Sequence, residues 1–153
     1  MSHWLTNKGK QLLMQGLWDD AGASAIKVGF IVGSSIPTAA DTEAEIQDLD
    51  TVAAFLALSG VTEGTGALAT RQSLSRTNAT EDDTNNRSNL DAANVTVSSV
   101  AAGQTVLGFF SYDATTDTND TTRILLSVGW FAAGVPTNGS DFTLTINDFI
   151  RAS

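Results

Sequence analysis

The sequence predicts a mainly β protein: an antiparallel β-sandwich of jelly-roll type, with a short N-terminal helix and a short helical crossover or arm. From Arg71 to Ile150, short alternating runs recur between turns rich in Asn, Asp, Gly and Thr. Those runs are built from Val, Thr and aromatic residues, which suit a pleated, half-buried surface. Apolar residues at three- and four-residue spacing are confined to two stretches before Gly66. A chain of 153 residues is normally one domain, with about two thirds of its unfolded surface buried. Within that single domain the organisation is a helical segment at 1–18, a first strand with a helical crossover or arm at 19–66, and the main sandwich at 67–153.

In the first segment, Thr6 or Asn7 can cap a helix running toward Trp18, with Leu5, Leu12, Leu13 and Gly16 on one face. Gly9 and Gly16 weaken it but let a neighbour approach closely. Residues 26–32 then alternate Ile26, Val28, Phe30 and Val32 on one side, predicting a strand. In the second segment Thr42, followed three residues later by Glu45, resembles a capping box. Ile46, Leu49, Val52, Phe55 and Leu56 supply a helical stripe and Gly60 a stop. This predicts one or two helical turns crossing the end of a sheet, or else an extended arm that orders against another subunit.

The third segment reads as strands over 69–75, 95–100, 105–112, 123–131 and 142–146. Residues 101–104 and 135–140 are turns, and the polar excursions at 78–86 and 113–120 are surface loops. In a strand, neighbours point to opposite faces, so Phe109 and Phe110, like Trp130 and Phe131, cannot all be hidden by one sheet-on-sheet contact. One of each pair must lie beneath a helix, a loop or another subunit. Trp4 and Trp18 flank the N-terminal helix, as closers of the core or as interface anchors.

The residue inventory narrows the chemistry. There is no Cys, so disulfides, thiolate nucleophiles and Cys-bound zinc are excluded. His3 is the one histidine and lies next to a terminus, and no Gly-x-Ser-x-Gly elbow is present, which argues against a Ser-His-Asp hydrolase. Gly64, Gly66 and Ala69 match a loose dinucleotide pattern, but they follow a helix and precede a strand, the reverse of the required order. No phosphate-binding Gly-Lys-Ser/Thr loop exists. Glu81, Asp82 and Asp83 are adjacent, whereas a glycosidase needs two carboxylates flanking one bond, so glycoside hydrolysis ranks last among the readings. Asp113, Asp117, Asn119 and Asp120 could offer oxygen to calcium, yet they lack EF-hand spacing and read as a solvated turn. No enzyme, cofactor or metal site is predicted.

The net charge of −9 opposes direct nucleic-acid binding. It is distributed unevenly: residues 1–18 carry Lys8 and Lys10 and no acid, while residues 19–153 carry six basic against seventeen acidic side chains. No apolar stretch approaches the roughly 20 residues of a membrane span, and the N-terminal residues lack the pattern of a secretory signal, so folding in a cytoplasm is expected.

The block from Trp4 through Leu13 followed by Ile26 to Val32 resembles the opening of small virion proteins of tailed bacteriophages. The blocks at 90–97, 101–106 and 136–146 are similar to segments of the same kind of protein. This resemblance lies in short blocks and texture over most of the chain, and it carries no active site. It implies a β-rich structural protein, synthesised in the host cytoplasm and placed on the virion head as a decoration or cement protein. Its partners would be the major capsid protein and itself, as a homotrimer. On this reading Trp4, Leu5, Lys8 and Lys10 dock on the shell. The alternative is a receptor- or carbohydrate-binding module of a tail fibre or baseplate, which would use an exposed aromatic such as Trp130 near the 113–120 loop.

Overall fold

The computed structural model describes residues 2–14, 26–76, 80–82, 87–90, 92–115, 118–146 and 150–152. The N-terminal segment divides at Thr6. Ser2–Leu5 is a strand, β1, and only Asn7–Met14 is helical, as α1. Leu5, expected on the helix face, and Trp4, expected to flank the helix, both lie in β1. Thr6 sets the boundary because its hydroxyl accepts the Gly9 amide at 2.8 Å, capping α1, and donates to the Leu125 carbonyl at 2.6 Å. Gly16 and Trp18 lie outside the described residues.

Ile26–Val32 is β2, with the bounds its alternation predicts. Two short helices follow, α2 at Glu43–Ile46 and α3 at Val52–Leu56, preceded by a 3-10 turn at Thr38–Ala40. Glu45 accepts the Thr42 amide at 3.0 Å and the Thr42 hydroxyl at 2.8 Å, the carboxylate half of the expected capping box. Gly60 ends the helical region at φ +84°, where a side chain would be strained. The remaining strands are β3 (Gln72–Ser73), β4 (Thr80–Asp82), β5 (Arg87–Leu90), β6 (Val95–Val97), β7 (Thr105–Asp113), β8 (Leu125–Pro136), β9 (Phe142–Leu144) and β10 (Ile150–Ala152). The 78–86 excursion is thus no simple loop, since β4 pairs with β5.

All described pairings are antiparallel, and they form a central five-stranded sheet in the order β1-β8-β7-β2-β3. A three-stranded sheet, β10-β5-β4, and a two-stranded ribbon, β6-β9, complete the described strands. The class is the mainly β one expected, and among the described residues the strands do not form the two four-stranded sheets of a jelly roll. One face of the central sheet is covered by the helical segment and the other by the ribbon. On one face, Val95, Val97, Phe142 and Leu144 of the ribbon pack on Ile26, Val28, Phe30, Val106 and Phe109. On the other, Ile46, Val52 and Phe55 of the helical segment cover Ile31, Phe110, Tyr112, Val128 and Trp130. The helical segment therefore lies across a face, not over the end.

This layering answers the question posed by the adjacent aromatics. Phe109 faces the ribbon and Phe110 lies under α3, 5.7 Å from the Phe55 ring. Trp130 is 2% exposed beneath the same helical layer and donates its indole N–H to the Ala40 carbonyl at 2.7 Å. Phe131 turns back toward Phe109 and Phe142.

Large rings fit between such closely spaced strands because each faces a glycine across the ladder: Gly29 opposite Phe110, Gly129 opposite Phe109, and Gly108 opposite Trp130. A Cβ on Gly29 would lie 2.4 Å from the Phe110 ring, and one on Gly129 2.6 Å from the Phe109 ring. Three times, then, the sheet sets an aromatic residue over a neighbour that has no side chain.

Candidate functional site

The most highly charged assembly in the described structure is centred on Arg71, just ahead of β3. Three separate parts of the chain meet there. The Arg71 guanidinium donates to both Glu63 oxygens at 2.7 and 2.9 Å and to both Asp120 oxygens at 2.6 and 2.7 Å. Glu63 is held beside β2 by a bridge to Ile31, and Asp120 belongs to the turn that precedes β8. Arg123 adds a further bond to Asp120 at 2.8 Å. The guanidinium carbons of Arg71 and Arg123 stand 5.1 and 5.2 Å over the Tyr112 ring, and that of Arg71 is also 5.2 Å from Phe110.

The electrostatics are those of a closed clamp. Arg71 has a side chain only 13% exposed, and burial opposes its charge. The paired Glu63 and Asp120 carboxylates more than offset that cost, so its pKa lies above the ordinary guanidinium value. Hydrogen bonding to Arg71, assisted by Arg123, holds the Asp120 carboxyl below the usual carboxylate range. An open cleft of about 770 Å³ lies over this cluster, lined by Lys27, Thr118 and Asn119 as well as by the clamp itself. Four of the five guanidinium N–H groups can serve the two carboxylates, and one face of the group rests on aromatic rings. Such an arrangement ties loops together and leaves little free valence for substrate.

Sequence reasoning did not find this cluster. Glu63, Arg71, Asp120 and Arg123 are scattered over the chain, and their meeting depends on which strands neighbour β2 and β7. The one legible signal was Tyr112, whose position in an alternating run put it on a definite face of the sheet.

The predicted docking residues are not a detached tail. Trp4 and Leu5 sit in β1, opposite Val128 and Ser127, and Trp4 packs against the core under the helices. Lys8 and Lys10 project from α1: Lys8 bonds Gln11 at 3.0 Å, and Lys10 approaches Glu43 at 3.5 Å, with both members of that pair well exposed.

In the 113–120 loop, Asp113 accepts bonds from the amide and hydroxyl of Thr115, and Asp120 is occupied by two arginines. Asp117 lies outside the described residues. Among the described residues no cluster of three or more His, Cys, Asp or Glu is placed to hold a metal ion. Trp130, the aromatic suggested for sugar stacking, is buried on the helical face and cannot stack on a ligand from solvent. No described helix is long and apolar enough to cross a membrane. The chain matches no protein-family model, no curated protein and no solved structure.

Proposed function

We propose that this chain is a non-enzymatic structural protein of a phage virion, a decoration or cement protein that seats on the head and bridges neighbouring subunits of the major capsid protein. The observation that carries the reading is the use to which the chain puts its reactive side chains. Arg71, Glu63, Asp120 and Arg123 are engaged with one another, and the aromatics they cover are packed into the central sheet. A protein whose charges brace its own loops is suited to bearing load, and repeated weak contacts over a symmetric shell would multiply its affinity. The sequence blocks that resemble small virion proteins support the same reading.

Docking on the shell falls to α1, from which Lys8 and Lys10 project on different sides, because Trp4 and Leu5 are committed to the sheet. Lys8, and Lys10 where it is not held by Glu43, offer cations to an acidic surface on the capsid from a chain of net charge −9. Removing residues 1–18 would delete β1 and its pairing with β8, so point changes are the sounder test. Lys8→Glu with Lys10→Glu should leave the circular dichroism and melting of the protein near wild type while weakening its attachment to purified heads. Copy number in purified particles, measured by mass spectrometry against the major shell protein, tests the role itself. A number commensurate with shell subunits supports cement, a few copies per particle place the chain in the tail, and absence from particles ends the virion reading.

A further inference from the structure

We infer that Asn138, at the tip of the turn joining β8 to β9, is a self-modifying site. The Gly139 backbone nitrogen closes onto the Asn138 side chain, and the residue converts to aspartate and isoaspartate without an enzyme. The inference goes beyond the virion reading and is independent of it.

The chain contains nine asparagines, and Asn138 is the one followed by glycine. The attacking nitrogen belongs to the following residue, where a side chain would crowd its approach to the asparagine carbonyl. Gly139 has none, adopts φ +92°, and has no neighbour within 4 Å of the place a Cβ would occupy. Asn138, Gly139 and Ser140 are all exposed.

Among the described residues, neither the Gly139 amide nor the Asn138 Nδ2 has a hydrogen-bond partner. Nucleophile and leaving group are both unencumbered. The oxygen between them is held: Asn138 Oδ1 accepts the Ser140 amide at 3.2 Å and also the Ser140 hydroxyl. These bonds fold the side chain back along its own backbone. They also place two donors on the atom where negative charge develops when the carbonyl is attacked, which is the arrangement of an oxyanion hole.

The flanks keep this geometry in place. Thr137 is nearly buried, with its amide on the Gln104 carbonyl at 2.8 Å and its hydroxyl on the Ala101 carbonyl at 2.7 Å. On the far side the Ser140 carbonyl accepts the Val100 amide at 3.2 Å, and Asp141 accepts the Ser99 amide at 2.9 Å. Asn138 and Gly139 are thus confined between two anchored residues, which keeps the reacting groups together. Other asparagines lack the combination. Asn119 accepts the Thr121 amide in the same way at 3.1 Å, but Asp120 follows it and is held by Arg71 and Arg123. Asn94 precedes the β-branched Val95 of β6, and Asn7 lies in α1 with its Nδ2 on Asp48 at 2.8 Å.

In the reaction, hydroxide from solvent takes the Gly139 amide proton and the nitrogen bonds to Asn138 Cγ. The Cγ–Nδ2 bond then breaks, and Nδ2 leaves as ammonia with a proton from water. Water opens the resulting cyclic imide at either carbonyl, giving aspartate or isoaspartate. Both products add a carboxylate close to Asp141, on a chain already of net charge −9.

The test is to incubate the purified full chain at mildly alkaline pH and follow it by ion-exchange chromatography and peptide mapping. A more acidic species is expected to accumulate, faster at higher pH, with residue 138 modified and recovered in two peptides of equal mass. Ser140→Ala keeps the backbone donor and loses the hydroxyl, so it should react about tenfold more slowly at unchanged circular dichroism. That is less than the ~10²–10³ associated with an enclosed oxyanion hole, because this turn is open to water. Asn138→Gln, which would have to close a larger ring, should not form the acidic species. A wild type in which Asn138 stays intact while another asparagine reacts, or in which no acidic species forms, overturns the inference. So does a Ser140→Ala variant that reacts as fast as the wild type or faster, which would mean that the Ser140 bonds restrain the side chain.

Discussion

Replacing Arg71 by Met keeps the length of the side chain and removes the charge that holds Glu63 and Asp120 together. The cost can be bracketed from the geometry. An exposed ion pair contributes about 0–1 kcal/mol, and breaking a buried one costs about 3–5 kcal/mol. The Arg71 side chain is 13% exposed, but its partners Glu63 and Asp120 keep 24% and 30%, which places the cluster between those limits. Arg123 remains on Asp120 in the variant, and Met retains part of the contact with Phe110 and Tyr112. The expected loss is therefore about 2–3 kcal/mol, which for a chain of this size corresponds to a melting point lowered by about 5–10 °C. Equilibrium urea unfolding followed by tryptophan fluorescence and circular dichroism measures it directly. Arg71→Lys should recover only part of the loss, since an ammonium cannot bind two carboxylates through paired N–H groups. Converting Glu63→Gln and Asp120→Asn on top of Arg71→Met should restore stability by removing the unpaired charges. A loss for Arg71→Met within about 0.5 kcal/mol of zero, the range of ordinary surface changes, would refute the clamp. A triple variant less stable than the single one would do the same.

Thr6→Val should cost about 2 kcal/mol in urea unfolding, because it removes both a helix cap and a buried hydroxyl bond to the Leu125 carbonyl. Gly108→Ala would place a Cβ 2.2 Å from the Gly129 carbonyl oxygen and 2.6 Å from the Trp130 ring, so a loss of about 2–3 kcal/mol is expected, with altered tryptophan fluorescence. Acid should loosen the 113–123 region. The folded pKa of Asp120 lies below its unfolded value of about 3.9, so its contribution is present above that pH and disappears as pH falls through the folded value. Melting temperatures from pH 7 to pH 3 should consequently fall less steeply in Asp120→Asn than in the wild type, and equal slopes would count against the assignment.

How much of this was legible in the sequence depended on the range of the interaction concerned. Ile26 to Val32 alternates locally and became a strand with the predicted ends, and Thr42 with Glu45 formed its carboxylate cap across one turn. Ser2–Leu5 was misread because its strand character comes from Trp130 and its neighbours, far along the chain, while the helical signal beside it was local. The prediction that one member of each aromatic pair needed cover from something other than a second sheet held for a geometrical reason, the alternation of side chains along a strand. What covered them, the α2–α3 layer, depended on a tertiary choice that alternation does not encode. The ionic cluster was invisible for the same reason. Its four residues have ordinary neighbours in sequence and acquire their meaning only when β2, β3 and β7 lie side by side.

The pairing of β1 with β8 has a kinetic consequence. Thr6 and Leu125, which bond at the end of that pairing, are 119 residues apart in the chain. The pairing of β2 with β7 is similarly remote, so of the pairings between the long strands only the β7–β8 hairpin, which closes at Tyr112 and Leu125, lies within a short stretch of chain. Closing loops of this length costs entropy before any burial compensates for it. Topologies dominated by such separations fold in roughly milliseconds to seconds, not microseconds. The helical turns between Thr38 and Leu56 can form early, but they have nothing to cover until the last long strand arrives. The apolar faces of the β7–β8 hairpin are therefore exposed until β2 and β1 close onto its two edges, and that interval is when this chain is most vulnerable to pairing with the wrong neighbour.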